Sequence, residues 1–187
     1  MHDQVDEKGL IARIAGQDQS ALQALLGRHQ LRVYRFVLRI VRREAVAEEV
    51  TNEVFLEAWR NARSYEGRSA VGTWLLSIAH NRAVSALRRR REESWDEDAA
   101  GSIADDGDDP EVTLQKAGKA EQMRRCIDQL SQEHRTIVDL VYYHEKSVNE
   151  VSEILGIPTN TVKTRMFYAR KKLSELLQAA GIDRGWP

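Results

Sequence analysis

Apolar positions recur every three to four residues along most of the chain and nowhere alternate residue by residue. Starting at Ser20, the set Leu22, Leu25, Leu26, Val33, Phe36, Val37, Ile40 and Val41 follows the helical period. It predicts one long amphipathic helix reaching about Arg43, with Ser20 as its N-cap. A second helix is predicted from about Val46 to Arg63, with Val46, Val50, Val54, Ala58 and Ala62 on one side. The stretch Ser64–Gly72 carries two glycines and reads as a loop. A third helix begins near Ala70–Thr73 and runs to about Arg91, turning Leu75, Ile78, Ala79 and Leu87 inward.

The helical period stops over residues 92–111 and then returns. A helix is predicted from about Val112 to Leu130. Ser131 caps another that reaches Tyr143, apolar at Ile137, Val138, Leu140 and Val141. Ser147-Val-Asn-Glu150 is a capping box, in which serine and glutamate satisfy each other's free backbone amides. The short helix it starts holds Val151, Ile154 and Leu155, and Gly156 suits the position just past its end. Pro158 and Thr159 open a last helix through Val162, Met166, Ala169, Leu173 and Leu176. The three prolines, Pro110, Pro158 and Pro187, all fall at boundaries, so they leave the helices intact. The pattern predicts an all-α fold in two small helical domains. Residues 1–91 would hold a three-helix bundle and residues 112–187 a four-helix unit.

Charge sharpens this division. The net charge of −1 conceals a net +8 over residues 21–91, −10 over 92–111 and +3 over 112–187. The acidic stretch contains no base and is too polar to bury, so it reads as a flexible linker. Two basic helical blocks favour a polyanionic partner, although uneven surface charge also serves solubility.

The same composition excludes several classes. The longest uncharged run, Ser69 to Asn81, has 13 residues, short of the ~20 a membrane helix needs. The N-terminus is acidic without an apolar core, which argues against a secretory signal and for a cytoplasmic protein. One cysteine, Cys126, makes neither an internal disulfide nor a cysteine-based zinc site, and on a helix it reads as a small buried residue. The five histidines show no metal-ligand spacing with carboxylates. No glycine-rich phosphate loop or nucleophile elbow occurs. These features predict neither catalysis, nor a cofactor, nor a small-molecule substrate.

Three surfaces carry candidate binding chemistry. Val148 to Leu173 has the form of a helix-turn-helix, whose second helix enters the major groove. On that helix Asn160, Thr161, Lys163, Thr164, Arg165, Phe167, Tyr168, Arg170 and Lys171 lie off the inward stripe. Their cations suit phosphates, and their amide and hydroxyl groups suit base edges. A helical hairpin with solvated lysines is the plainer alternative. The third helix places Asn81, Ser85 and Arg88 on one face, followed by Arg89 and two further arginines. With Tyr65 in the preceding loop and Trp74 at the helix start, this surface suits unstacked bases, since rings stack while arginines hold the backbone. Trp74 also fits core packing. On the second helix Glu49, Asn52, Glu53, Leu56 and Arg60 form a stripe opposite the valines. An apolar residue inside a charged stripe suggests a protein contact, and an ordinary solvated face is the alternative.

These residues together resemble an extracytoplasmic-function (ECF) sigma factor, the small two-domain class of bacterial transcription initiation factors. The resemblance covers about residues 20–91 (region 2) and 114–177 (region 4). It rests on Ala47-Glu-Glu-Val-Thr-Asn-Glu-Val-Phe-Leu-Glu-Ala-Trp-Arg60, on Thr73-Trp-Leu-Leu-Ser-Ile-Ala-His-Asn-Arg82, and on Leu155-Gly-Ile-Pro-Thr-Asn-Thr-Val-Lys-Thr-Arg165 with Ala169-Arg-Lys-Lys-Leu173. It implies that the Glu49–Arg60 stripe docks on the clamp helices of the polymerase β′ subunit, with the β flap as a further contact of core RNA polymerase. It implies that the 64–72 loop and the 74–88 helix recognise and open the promoter −10 element, and that the last helix reads the −35 element. The acidic linker would thread toward the RNA exit channel, and an anti-sigma factor would hold the protein inactive. The sequence departs from the family pattern at Asn52, where glutamine is usual, and at Glu49, where aspartate is frequent. It departs also at Pro158, where serine is commoner, and at Tyr168, where a basic residue is frequent. Two other readings stay open on the residues alone: a helix-turn-helix regulator binding DNA as a homodimer, and a sigma-like decoy that titrates an anti-sigma factor.

Overall fold

A computed structural model describes residues 7–93 and 114–182. The first helix, α1 (Glu7–Ala15), is one the periodicity missed. It is short, and its apolar residues Leu10, Ile11 and Ile14 are only three, yet all three are buried. Burying each is worth about 1.5–3 kcal/mol, more than any single surface ion pair supplies, so α1 is held by packing.

The next helix, α2 (Gln19–Val41), is capped by Asp18, not by Ser20 as expected. Asp18 Oδ1 accepts from the Ser20 amide at 2.9 Å, the Ala21 amide at 3.2 Å and the Ser20 hydroxyl at 2.7 Å. Ser20 is therefore a donor to the cap. Its bonds, followed by those from Arg13 and the Ala21 amide, hold the Asp18 carboxyl well below the usual carboxylate range. Leu25, Val33, Phe36, Val37, Ile40 and Val41 are buried, while Leu22 and Leu26 are half-buried. The helix stops two residues before Arg43. Arg42 turns left-handed at φ +55° and its amide donates to Leu38 O.

Helix α3 (Glu44–Asn61) buries Ala47, Val50, Val54, Phe55 and Ala58, and a 3₁₀ turn at Ala62–Ser64 tightens its end. Val46, expected on the inward side, is half-buried. The buried Thr51 hydroxyl donates to Ala47 O at 2.7 Å, so it leaves no unmet donor in the core. Helix α4 (Val71–Glu93) buries Val71, Leu75, Leu76, Ile78, Ala79, Ala83 and Ala86, with Leu87 half-buried. Helices α2, α3 and α4 pack against one another, and α1 lies on α2, α3 and the 3₁₀ turn. Among the described residues this unit therefore has four helices in place of the expected three.

The chain divides into an N-terminal and a C-terminal compact unit. The expected acidic linker lies outside the described residues, apart from Glu92 and Glu93, which close α4. In the second unit α5 (Leu114–Asp128) and α6 (Gln132–Val138) precede a π turn at Asp139–Tyr143. Ser131 caps α6 as expected, accepting from the His134 amide at 3.3 Å. The π turn was not foreseen. It buries Asp139 and Leu140, and His144 behind it is buried with Nε2 3.3 Å from Asp139 Oδ2. Helix α7 (Val148–Leu155) starts at the capping box: Ser147 N donates to Glu150 Oε2 at 3.0 Å, and Glu150 N to Ser147 Oγ at 3.3 Å. Helix α8 (Thr159–Ala179) is the last among the described residues. Cys126, Ile127, Leu130, Val138, Ala169, Leu173 and Leu177 make a core shared by α5, α6 and α8, and Cys126 is buried as expected. Among the described residues no helix is long and apolar enough to cross a membrane.

Candidate nucleic-acid interface

The helix-turn-helix is built by backbone geometry at Gly156, whose φ is +65°. Any side chain there would strain the left-handed conformation, although nothing lies within 4 Å of where a Cβ would sit. The turn is closed from α7, where Ser152 Oγ donates to Ile157 O at 2.5 Å and Ser152 O accepts from Ile157 N at 3.2 Å. Pro158 precedes the first residue of α8 and makes no side-chain cap bond.

With Val162, Met166, Ala169, Leu173 and Leu177 buried, the 100° step per residue turns Asn160, Thr164, Phe167 and Lys171 directly outward. Those four, with Lys163 beside them, are exposed. Phe167 and Tyr168 are 64% and 54% exposed, and their rings meet edge-on with centroids 5.4 Å apart. Thr164 Oγ1 donates to Asn160 O at 3.0 Å, so its oxygen is left free to accept. Two of the expected cations are engaged inside the unit. Half-buried Arg165 lies 3.2 Å from Glu133 of α6, and Arg170 donates to the Tyr142 hydroxyl at 3.0 Å with its guanidinium over that ring. Thr161 is half-buried at the edge of this outward face.

In the N-terminal unit, the same geometry puts Trp74, Asn81, Ser85 and Arg88 in one row along α4. Asn81, Arg88 and Arg89 are exposed, and Ser85 and Trp74 half-buried. Tyr65 folds over the start of this row, its ring 5.0 Å from that of Trp74 and its hydroxyl donating to Ser69 O at 2.5 Å. Burial first, and the Glu7 carboxylate next, push the Tyr65 phenol up, so it stays a neutral donor. Trp74 thus packs against Tyr65 and stays partly exposed. His80, behind Asn81, has Nδ1 buried without a hydrogen-bond partner; burial depresses its pKa and the Asn81 side chain partly opposes that.

Glu49, Asn52, Leu56 and Arg60 are exposed along α3, and Glu53 is half-buried. Leu56 is 48% exposed. Sequence reasoning missed the neighbouring part of this surface. Leu31 of α2 is 60% exposed, and with Gln30, Tyr34, Glu48, Thr51 and Asn52 it lines an open groove of about 450 Å³ between α2 and α3. Leu31, like Leu56, is an apolar side chain on a polar face, a pattern readable in the sequence. Burial, with Glu44 and Glu48 nearby, pushes the Tyr34 phenol up. Among the described residues no group of histidine, cysteine or carboxylate side chains is placed to hold a metal ion.

The sigma-70 region 2 family matches residues 25–93, and the sigma-70 region 4 family matches residues 120–173. The ECF RNA polymerase sigma factor SigK of Mycobacterium bovis is 32% identical over 178 residues, covering 94% of this chain and 95% of that protein. SigK of Mycolicibacterium vanbaalenii is 31% identical over 176 residues, covering 91% and 89%. Among solved structures, the sigma factor RpoE in complex with the anti-sigma factor NepR, from Bartonella quintana, superposes with a TM-score of 0.71 at 24% identity, covering 87% of this chain and 98% of that one. CnrH in complex with the cytosolic domain of CnrY superposes with a TM-score of 0.66 at 23% identity, covering 92% and 97%. The structural likeness gives the two-unit helical fold. Two sigma-70 regions in order, and near full-length similarity to SigK, go further: the chain belongs to the ECF sigma factors of bacterial RNA polymerase.

Proposed function

We propose that this sigma factor divides its work among the three faces described, acting in the cytoplasm beside core polymerase. As a member of the family it is an initiation factor, not an enzyme, and its partners are core RNA polymerase and promoter DNA. The α3 row Glu49, Asn52, Glu53, Leu56 and Arg60, extended by Leu31 and Tyr34, docks on the β′ clamp. The α4 row Trp74, Asn81, Ser85, Arg88 and Arg89, with Tyr65 above it, takes unstacked bases of the −10 element. Arginine neighbours hold the backbone of that strand while the rings receive its bases. The outward face of α8, Asn160, Thr164, Phe167 and Lys171 with Lys163 and Tyr168, reads the −35 element in the major groove. Thr161, Arg165 and Arg170 support it from the flanks.

The mechanism is binding energy directed to one state of the DNA. Extruding a base costs a few kcal/mol, and stacking on an aromatic side chain returns about 1–3 kcal/mol per base. Tethering both readers to the polymerase makes the second contact intramolecular and adds effective concentration. The observation that carries this reading is the continuous α4 row beginning under the Tyr65–Trp74 ring pair. An anti-sigma factor that covers Leu31 and Leu56 would block docking without touching DNA. In-vitro transcription with core enzyme tests the whole: a promoter-dependent start site is expected, and its absence rejects the proposal.

A further inference from the structure

Helix α1 reaches the loop that carries Tyr65 from two places. Lys8 Nζ donates to Gly67 O at 3.1 Å, and Arg63 Nε, in the 3₁₀ turn before the loop, donates to Ala15 O at 3.3 Å. One contact lies at each end of α1. The helix itself is pinned by buried Leu10, Ile11 and Ile14, and by Glu7, whose Oε1 lies 3.0 Å from Nε2 of buried His29. The loop between these anchors has little core of its own. Ser64, Glu66, Arg68 and Ala70 are exposed, and Tyr65, Gly67 and Ser69 half-buried. Ser64 Oγ to Asn61 O and Tyr65 N to Ala62 O tie its start to the end of α3, and Ala70 O accepts from the first amides of α4. Tyr65 to Ser69 O and the Glu66–Arg68 ion pair close the loop on itself, and none of these reaches from its tip to another helix.

At the loop tip Gly67 takes φ +68°, which any other residue would adopt under strain. The Lys8 side chain runs past it: Nζ, Cε and Cδ lie 3.6–3.8 Å from where a Cβ on Gly67 would stand. The left-handed turn therefore presents its carbonyl to the ammonium and leaves room for the stem.

We infer that Lys8 is a positioning residue for the −10 pocket, fixing the Gly67 carbonyl and so holding Tyr65 over Trp74 before DNA arrives. This rests on the assignment of Tyr65 and Trp74 to the −10 element. Its physical basis is preorganisation: a loop already ordered does not pay its ordering entropy on binding, and a ring held in place discriminates among bases better than one that adapts. A competing role is direct neutralisation of a phosphate, which would strengthen binding to every sequence alike.

The experiment uses the full chain with core polymerase and a duplex pool randomised over the −10 element, sequenced before and after competitor challenge of open complexes. Lys8→Met keeps the stem and removes the donor, and Lys8→Arg restores a donor. Lys8→Met is expected to shrink the preference for the best −10 sequence over its single-base variants by about two- to fivefold, the worth of one solvent-screened hydrogen bond to a charged group. It should leave core affinity and the slope of log affinity against log salt unchanged, and should speed tryptic cleavage after Arg68 in the free protein. Lys8→Arg should recover most of the preference. Equal weakening on all sequences with the salt slope reduced by about one identifies a phosphate contact and overturns the proposal. So does unaltered preference, or a loss of thermal stability that both variants share. Tyr65→Ala run alongside separates the two levels. If Tyr65→Ala keeps the preference, the −10 assignment falls and this proposal with it. If only Lys8→Met keeps it, the proposal alone falls.

Discussion

Arg82 on α4 is clamped by α3: its Nε donates to Glu57 Oε2 at 2.5 Å, while Nη1 stands 3.8 Å from Glu53 Oε2, too far for a hydrogen bond. Glu53 belongs to the face assigned to polymerase, and Arg82 follows Asn81 in the helix assigned to the −10 strand. Arg82 thus sits between the two proposed surfaces, bonded to Glu57 beside the α3 row. Arg82 is 45% exposed, so solvent screens the interaction and a double-mutant cycle with Glu57 should give about 0.5 kcal/mol. Arg82→Gln and Glu57→Gln should each lower the thermal midpoint slightly, and together by less than their sum. Strict additivity would show that the pair contributes nothing.

Leu56 and Leu31 lie on the surface proposed to meet the β′ clamp. Leu56→Glu should lower affinity for core polymerase at least tenfold, as expected where an apolar anchor becomes a buried charge. Leu31→Glu should act in the same direction, while thermal stability stays within error because both side chains are exposed. Competition against a labelled sigma factor for core enzyme measures this.

On the α8 face, amide and ammonium should separate by behaviour. Asn160→Ala should cost about 1–3 kcal/mol at one base pair of the −35 element and relax preference there. Lys171→Gln should weaken all promoters about equally and reduce the salt slope by about one. Binding measured across a salt series on promoter variants distinguishes them. Identical profiles for the two variants would contradict the division.

His80 gives a pH dependence. Its folded pKa is depressed by burial, so the unfolded chain binds a proton that the folded chain refuses. Stability is thus greatest above the unfolded value of 6.5 and is lost as pH falls from there through the folded pKa. His80→Gln should flatten the stability profile between about pH 7 and pH 5. Denaturant melts across that range check it, and an unchanged slope would rule out His80 as a contributor.

Gly156→Ala should destabilise the C-terminal unit by about 1 kcal/mol, purely through the backbone, since the site has open space. Ser147→Ala should cost about as much by removing one side of the capping box. Chemical denaturation of the full chain reads both.

Much of this architecture is legible in the residues. The inward stripes of α2 and α8, the Ser131 cap, the capping box at Ser147 and the left-handed Gly156 all follow from local rules that tertiary packing here reinforces. What escaped depends on partners distant in sequence. Helix α1 is too short to declare itself by period, and becomes helical because three side chains find a pocket. Asp18 outcompetes Ser20 because its carboxylate, fixed also by Arg13, accepts several donors at once. At the candidate sites, the outward rows were readable from spacing. That Arg165 turns to Glu133, that Arg170 turns to Tyr142, and that Tyr65 covers Trp74 were not, because each requires knowing which helices meet.

The π turn at Asp139–Tyr143 holds five residues where an α-helix would spend fewer, and His144 N still donates back to Asp139 O at 3.1 Å. The surplus amino acid advances everything after it by roughly a quarter revolution. Shortening the chain by one position here would yield a straighter rod, yet would swing the Tyr142 hydroxyl off Arg170 and remove one of the contacts that steady α8. Length variants between Ser131 and Ser147 should therefore prove less tolerated than substitutions there.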